Sequence, residues 1–243
     1  MPPAIVPDRL LVAIPAYNEE ASIESVVNAV RHEAPEFDLL VINDGARDAT
    51  PEILRRLGIP TARHYCNLGY GRAVQTAIKY ARRHGYTALV TFDGDGQHRA
   101  GDLKRLCRAF AEGDYDLLIG SRFLQRRQYG SSEPVRRLGM WLFSRLVGLV
   151  TGHRVYDTSS GFRVFHKRTF SLLTEHPFVD FHAEAIVLLL RRGYKVGEEP
   201  IVADQRRSGS SMYGALSALK YPLKTSLLVL LAYFGSGIMD HRK

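Results

Sequence analysis

Short apolar runs alternate with helical patterns through the first 120 residues, and this rhythm limits the folds open to the chain. The β-rich runs cover residues 9–13, 39–42, 86–92 and 116–119, with a weaker run at 59–65. Apolar side chains recur at helical spacing between them, at 22–32, 50–57, 71–84 and 102–112. Strands and helices that alternate in this way predict an α/β fold with a mostly parallel sheet between layers of helices.

Polar residues and glycines follow every one of these runs. They occupy residues 15–20, 43–48, 67–72, 93–95 and 120–122. Parallel sheets of this kind bind their ligands beyond the carboxyl ends of the strands. We therefore expect these five segments to contribute to one site.

The run at 86–92 leads into the sequence FDGDGQH, in which Asp93, Asp95 and Gln97 stand two residues apart. Side chains two residues apart on a strand leave on the same side, so we expect these oxygens to converge. Two carboxylates and an amide suit a hard cation such as Mg²⁺ or Mn²⁺ better than zinc. A solvated turn is the alternative, because Asp and Gly are common turn residues. His98 is compatible with a partner of this site or with an ordinary core histidine.

The charge of the chain is uneven. Residues 1–120 carry 14 Lys and Arg against 16 Asp and Glu, whereas residues 121–243 carry 19 against 9. A basic second half suggests an anionic partner, such as phosphates or a membrane surface. Nucleic acid is the least favoured partner, because the arginines stand beside aliphatic runs rather than beside stacking aromatics.

The sequence predicts a cytoplasmic protein. The two cysteines, Cys66 and Cys107, are too few for a disulfide framework and fit a reducing compartment. The N-terminal sequence MPPAIVPDRL has no basic segment followed by an apolar one, so we expect no secretory signal. No apolar run reaches the roughly 20 residues that a spanning helix requires.

Two stretches nevertheless combine basic and apolar residues. Residues 134–150 begin with proline and carry Arg136, Arg137 and Arg145 among many apolar side chains, and residues 213–234 contain two lysines among leucines. Helices of this composition lie in a membrane interface, or alternatively pack on the sheet. For 134–150 we favour the interfacial position, on the cytoplasmic face of the membrane.

Six motifs, taken together, resemble the family 2 glycosyltransferases, which use nucleotide-sugar donors and have the GT-A fold. In order they are IPAYNEE (14–20), INDGARDAT (42–50), NLGYGRA (67–73), FDGDGQH (92–98), GSRF (120–123) and DTSSGFRVF (157–165). Within the family, the metal motif, GSRF and SGFR resemble the dolichyl-phosphate mannose synthases and their bacterial polyprenyl-phosphate relatives. The resemblance implies a catalytic domain at 1–213 and a membrane-associating amphipathic segment at 214–243.

The resemblance also implies roles for individual residues. It assigns the nucleotide to Pro15, Tyr17, Glu19, Asp44, Asn67, Gly71 and Asp93. It assigns the metal, Mg²⁺ or Mn²⁺, to Asp95 and Gln97, and the acceptor phosphate to Arg122, Arg137, Arg206 and Ser210. The predicted catalytic residues are Asp93, Asp95 and Arg122. Further candidate cations for the phosphate are Arg136, Arg163 and Arg207.

The chain departs from the family pattern at several positions. Asn43 and Ala46 replace an aspartate and a serine of the usual D-D-G-S, so the nucleotide base is not predicted. Leu138 to Trp141 follow the Arg136-Arg137 pair, where relatives often carry a polar residue. Asp157 fits either a turn cap or a catalytic carboxylate, and Glu184 fits either a site residue or a buried one.

The expected reaction is transfer of a sugar from GDP-mannose or a UDP-hexose to a polyprenyl or dolichyl monophosphate, with inversion. A membrane-anchoring partner protein is a further expectation. The alternatives are a soluble hydroxyl acceptor, which would require a carboxylate as base, and an inactive sugar-nucleotide sensor or membrane adaptor. The intact set of Asp93, Asp95 and Gln97 speaks against the sensor.

Overall fold

Seven strands form one sheet in a computed structural model of the chain, which describes residues 9–124, 134–176, 181–202, 227–229 and 231–233. Of residues 134–140 only the helical backbone is described. The strands are β1 (Leu10–Ala16), β2 (Asp38–Asn43), β3 (Thr61–Arg63), β4 (Ala88–Thr91), β5 (Leu117–Ser121), β6 (Arg163–His166) and β7 (Val196–Pro200). Their spatial order is β3-β2-β1-β4-β6-β5-β7.

Helices cover both faces of the sheet. They are α1 (Ile23–Glu33), α2 (Thr50–Arg56), α3 (Tyr70–Arg83), α4 (Asp102–Glu112), α5 (Pro134–Thr151), α6 (Phe170–Glu175) and α7 (Ala183–Arg191). One apolar core joins α3, α5, α6 and α7 to the sheet, and the other joins α1, α2 and α4 to its opposite face. The predicted α/β fold with a mostly parallel sheet is therefore confirmed.

The exception to the parallel sheet is β6, which runs antiparallel to both β4 and β5. Its first residue, Arg163, pairs with Thr91 near the end of β4 and with Ile119 on β5. The segment before β6 therefore arrives at the edge of the sheet where β4 and β5 end. This reversal brings residues 157–162 to the predicted site.

The predicted elements match the structure with differences at their ends. Helix α4 has the predicted bounds, whereas β4 ends at Thr91, so residues 93–97 lie in a turn. The strand alternation that predicted convergence of Asp93 and Asp95 therefore does not apply there. Strands β6 and β7 were not predicted, since β6 lies within a motif and β7 reads VGEEP.

The C-terminal segment is described only at 227–229 and 231–233, where it is helical. Val229 and Ala232 are buried in the core that contains α5 and α7, and Leu227 and Leu231 are exposed. The predicted boundary at 213/214 lies outside the described residues and stays a prediction. In the described part of the chain, every helix is too short or too polar to cross a bilayer.

Candidate functional site

The turn after β4 holds Asp93 against a buried histidine. Oδ2 of Asp93 lies 3.0 Å from Nε2 of His98, and the His98 side chain is 2% exposed. The imidazole packs against the rings of Phe92 and Phe162, at centroid distances of 5.8 and 5.2 Å. His98 is thus both a core residue and the partner of Asp93.

Gly161 forms the surface on which the Asp93 carboxylate rests. A Cβ at position 161 would overlap both oxygens of Asp93, so only glycine allows this approach. The carbonyl of Gly161 accepts hydrogen bonds from Thr91 Oγ1 at 2.7 Å and from Tyr70 Oη at 3.4 Å. The loop before β6 is thereby fastened to β4 and to the start of α3.

The carboxyl group of Asp93 is a weak base. Burial alone would raise its pKa, but the hydrogen bond from His98 and the charges of His98, Arg122 and Arg163 hold the pKa below its usual value. The group is therefore ionised at neutral pH.

Asp95 and Gln97 lie half-buried in the same turn. The backbone N–H of Gln97 donates to Oδ1 of Asp95 at 3.0 Å. No three His, Cys, Asp or Glu side chains of the described ranges come together as an ion site. The oxygen donors nevertheless fit Mg²⁺ or Mn²⁺, which proteins often hold with one or two carboxylates together with substrate phosphates.

Arg122 lies just beyond β5 and is bound on two edges of its guanidinium. Nε and Nη2 donate to Oδ2 and Oδ1 of Asp157 at 2.7 and 2.9 Å, and Nη2 also donates to Ser159 Oγ at 2.9 Å. The Asp157 side chain is fully buried and that of Arg122 is 13% exposed. Asp157 also accepts the backbone N–H of Ser159 at 3.3 Å, so it has the predicted turn-capping role and is in addition the partner of Arg122.

Arg122 and Asp157 shift each other's pKa in opposite directions. Burial opposes both charges, but the Asp157 charge and hydrogen bond keep the pKa of Arg122 above its usual value, helped by Asp93 and Asp95. The same contacts keep the pKa of Asp157 below its usual value, against burial. Because Asp157 already balances Arg122, the pair Asp93 and Asp95 retains negative charge that a divalent cation would offset.

Arg163 does not face a phosphate, contrary to its prediction as a candidate cation. Its side chain is buried, and three of its nitrogens donate to carbonyl oxygens of Ser160, Phe181 and Thr158 at 2.7 to 2.8 Å. The residue ties the loop before β6 to the segment before α7. Its charge helps to lower the pKa of Asp93.

Asp44 is turned into the protein at the end of β2. Its carboxylate accepts hydrogen bonds from the N–H groups of Leu68 and Gly69, both at 2.9 Å, and Oδ1 lies 2.6 Å from Nδ1 of His64. It therefore shapes the loop from 64 to 69, in which Asn67 is exposed. Its predicted contact with the nucleotide stays a prediction.

The neighbouring Gly45 makes this loop possible. Its φ of +72° is unfavourable for other residues, and a Cβ there would overlap the backbone of Cys66. Gly71, predicted for the nucleotide, is buried in the first turn of α3 directly after the loop.

The first loop leads from β1 to α1 and is hydrogen-bonded to the start of α2. Pro15, Tyr17 and Glu19 are half-buried, and Oε2 of Glu19 accepts from Ser22 Oγ at 2.9 Å. The backbone N–H of Glu19 donates to Thr50 Oγ1 at 2.9 Å. Of these predicted nucleotide residues, Pro15 therefore lies near the end of β1, and Tyr17 and Glu19 lie on the loop that follows it.

Five residues predicted for the phosphate lie outside the described side chains. They are Arg136 and Arg137, of which only the backbone is described, and Arg206, Arg207 and Ser210. Glu184 is buried at the start of α7, and its Oε1 accepts from the N–H of His182 at 3.0 Å, so the buried role describes it.

Comparison with known proteins agrees with this geometry. The sequence profile of Glycosyl transferase family 2 matches residues 11–173. A UDP-N-acetylglucosamine–dolichyl-phosphate N-acetylglucosaminyltransferase of Methanococcus voltae is 27% identical, over 80% of this chain and 85% of its own. A polyprenol monophosphomannose synthase of Mycolicibacterium smegmatis is 29% identical, over 84% of this chain and 80% of its own.

A solved structure shares the fold at lower identity. Glucosyl-3-phosphoglycerate synthase from Mycobacterium tuberculosis, in complex with Mn²⁺, UDP-glucose and phosphoglyceric acid, has a TM-score of 0.67 and 20% identity, and covers 93% of this chain and 80% of that one. The same synthase has also been solved with Mg²⁺ and UDP. Since the family profile spans most of the chain and includes Asp93, Asp95, Arg122 and Asp157, the chain is a GT-A glycosyltransferase that belongs to glycosyl transferase family 2.

Proposed function

We propose that the enzyme transfers a sugar from a nucleoside diphosphate sugar to a polyprenyl or dolichyl monophosphate, with inversion and with a divalent metal. The relatives from M. voltae and M. smegmatis are named for dolichyl-phosphate and polyprenol acceptors. Their names differ in the sugar, so both GDP-mannose and UDP-hexoses are candidate donors.

The ionisation and hydrogen bonds of two carboxyl groups bear on the choice between a hydroxyl and a phosphate acceptor. A hydroxyl acceptor must lose a proton, and its base should be a carboxyl group with an available oxygen and a pKa near the working pH. Asp93 and Asp157 instead have lowered pKa values and accept hydrogen bonds from His98 and Arg122. A phosphate monoester is already anionic near neutral pH, so this arrangement supports a phosphate acceptor.

One other carboxyl group near Arg122 has a raised pKa. Burial raises the pKa of Glu198, against hydrogen bonds from two backbone N–H groups. Both oxygens of Glu198 are engaged, because they accept hydrogen bonds from the backbone N–H groups of Tyr156 and Asp157. Glu198 is therefore a poor candidate for the base that a soluble hydroxyl acceptor would require.

The turn after β4 supplies the residues that would act on the sugar donor. Asp95 and Gln97 would hold the metal, which when bound supplies a Lewis acid for the departing nucleoside diphosphate. Arg122 hydrogen-bonds through Nε and Nη2 within the described residues, which leaves the N–H groups of Nη1 for a phosphate.

The reaction that we propose is a direct displacement. An oxygen of the lipid phosphate forms a bond to the anomeric carbon while the bond from that carbon to the diphosphate breaks. Attack from the opposite face converts an α-linked donor to a β-linked product. The chain's own contribution is to place the two anionic groups and to neutralise them.

Helix α5 supplies a surface for a membrane-bound acceptor. Phe143 and Val147 on one side are buried, whereas Trp141, Leu142 and Leu149 on the other are 50%, 46% and 83% exposed. The guanidinium of Arg145 lies 5.0 Å from the centre of the Trp141 ring. An apolar face bordered by a cation fits peripheral binding to an anionic membrane, or to a membrane-anchoring partner protein.

A transfer assay tests the proposed function. The full chain is incubated with radiolabelled GDP-mannose, UDP-glucose or UDP-N-acetylglucosamine, together with undecaprenyl or dolichyl phosphate and Mg²⁺ or Mn²⁺. We expect label in the organic phase from one of the donors, and none when EDTA is present. Metal-dependent hydrolysis or binding of a donor without a lipid product would instead support a soluble acceptor.

Replacement of Leu149 with Asp tests the membrane surface. We expect the wild type to sediment with vesicles that contain anionic lipid, with binding that weakens as salt rises. Leu149→Asp should reduce the bound fraction several-fold, because it places a charge on the apolar face. Leu68→Asp, also at an exposed leucine but on the loop after β3, is the control and should bind as the wild type does. Equal binding by both variants would contradict the interfacial role of α5.

A further inference from the structure

A glutamate on the edge strand β7 stands behind the arginine of the site. Glu198 pairs in register with Ile119 of β5, three residues before Arg122. Its carboxylate accepts hydrogen bonds from the backbone N–H groups of Tyr156 at 2.7 Å and Asp157 at 2.8 Å. Both oxygens of Glu198 thus fix the backbone at the point where the Asp157 side chain begins.

The contacts continue from Asp157 to Arg122. Oδ2 of Asp157 accepts both the backbone N–H and Nε of Arg122, at 3.1 and 2.7 Å, and Oδ1 accepts Nη2. A bidentate pair of this kind fixes the plane of the guanidinium. We call Glu198, Asp157, Ser159 and Arg122 the Arg122 network.

Holding a loop with two successive buried carboxylates costs free energy, because burial disfavours their charged forms. Burial raises the pKa of Glu198, and the nearby charge of Asp157 raises it further, although two N–H groups stabilise the ionised form. The carboxylate supplies one oxygen to each of the two N–H groups, which a carboxamide with its single oxygen does not do. Glu198 fixes the backbone of Asp157, and the side chain of Asp157 fixes Arg122, so the network connects Glu198 to the position of the guanidinium.

We propose that Glu198 is a positioning residue for sugar transfer. By holding the backbone of Asp157, it sets the direction in which Arg122 presents Nη1 to a phosphate. The inference rests on the proposed function in one respect, which is that Arg122 binds a phosphate of the donor or the acceptor. The geometry of the network itself does not depend on which phosphate that is.

The next residue on β7 supplies a matched control. Glu199 points to the other side of the strand, where its Oε1 accepts from Nη1 of Arg105 at 2.6 Å. Arg105 belongs to α4 and is partly exposed, and it also donates to Asp102. Glu198→Gln and Glu199→Gln therefore make the same chemical change on one strand, and only the first touches the Arg122 network.

Kinetics of the full-length variants give the first test. We expect Glu198→Gln to lower kcat/KM for polyprenyl phosphate by about 10- to 100-fold, because a carboxamide has one acceptor oxygen for two N–H groups and Arg122 shifts. Glu199→Gln should stay near the wild type. In an Arg122→Lys background, which already lacks the bidentate contact, Glu198→Gln should have little further effect. An equal fold-loss in both backgrounds would overturn the proposal.

A spectroscopic test does not need the lipid acceptor. The ¹⁵N–¹H signal of the Arg122 Nε–H is identified by its loss in Arg122→Lys. We expect Glu198→Gln to shift this signal and speed its exchange with water, and Glu199→Gln to leave it unchanged. An unmoved signal in Glu198→Gln would refute the positioning role. A moved signal in a protein that makes no lipid product would refute the proposed acceptor alone.

Discussion

Asp95→Asn is expected to reduce sugar transfer at least about 100-fold while the protein remains folded. The amide keeps the shape of the side chain and can still accept the N–H of Gln97, but it removes one negative charge from the turn that would hold the metal. Binding of Mn²⁺, measured by electron paramagnetic resonance with and without nucleotide, should weaken in parallel. The loss of binding separates a metal role from a general loss of activity.

Asp114→Asn is the control for this change. Asp114 is exposed, pairs with Arg168 and has a φ of +45°, a conformation that asparagine accepts. The control should transfer sugar and bind Mn²⁺ as the wild type does. Full transfer and unchanged Mn²⁺ binding by Asp95→Asn would remove Asp95 from the metal site.

Asp157→Asn should impair both stability and activity. The variant leaves the guanidinium of Arg122 buried without its carboxylate, and the loss of one partner of such a pair costs about 3 kcal/mol. Transfer should fall about 100-fold, because Arg122 is no longer held by two parallel hydrogen bonds. Urea unfolding and the transfer assay measure the two effects on the same preparation.

The stability effect of Asp157→Asn has a definite pH dependence. The pKa of Asp157 is held below its usual value in the folded chain, so its ionisation stabilises the fold above the unfolded pKa. That contribution is lost as the pH falls through the lowered, folded pKa. The difference in unfolding free energy between wild type and variant should therefore be full at pH 7 and shrink in acid. A difference that stays constant down to pH 3 would show that the lost charge is not its cause.

The first 120 residues predicted most of the fold. Their alternating pattern located five strands and four helices, because the helices there bury one regular apolar face and the central strands are short continuous apolar runs. The end of β4 was predicted one residue too late, because Phe92 is buried beyond the last paired residue and extends the apolar run. Residues that follow the strands were correctly expected at one edge of the sheet.

The structure of residues 121–243 was harder to predict, because the residues that shape the site there belong to no periodic pattern. Arg163 looks like any basic residue in the sequence, yet it is buried and donates to two carbonyl oxygens of the preceding loop and to that of Phe181, 18 residues away. Glu198 lies in a strand that contains two glutamates and a glycine, a composition that does not indicate a strand. Its contact with residues 156 and 157 depends on the pairing of β7 with β5, which no local pattern reveals.

The position of β6 between β4 and β5 has a consequence for the order of assembly. Strands β1 to β4 find all their mutual partners within the first 91 residues, so this half of the sheet, which leads into the Asp95 turn, can form early in synthesis. Strand β5 pairs only with β6 and β7, and must wait for residues 163–166 to be made. During that interval both edges of the apolar strand LLIGS lack their partners, which is a point of risk for aggregation on the ribosome. The Arg122 and Asp157 part of the site is therefore synthesised after the Asp95 turn, and β7, which carries Glu198, is the last strand of the described sheet to be synthesised.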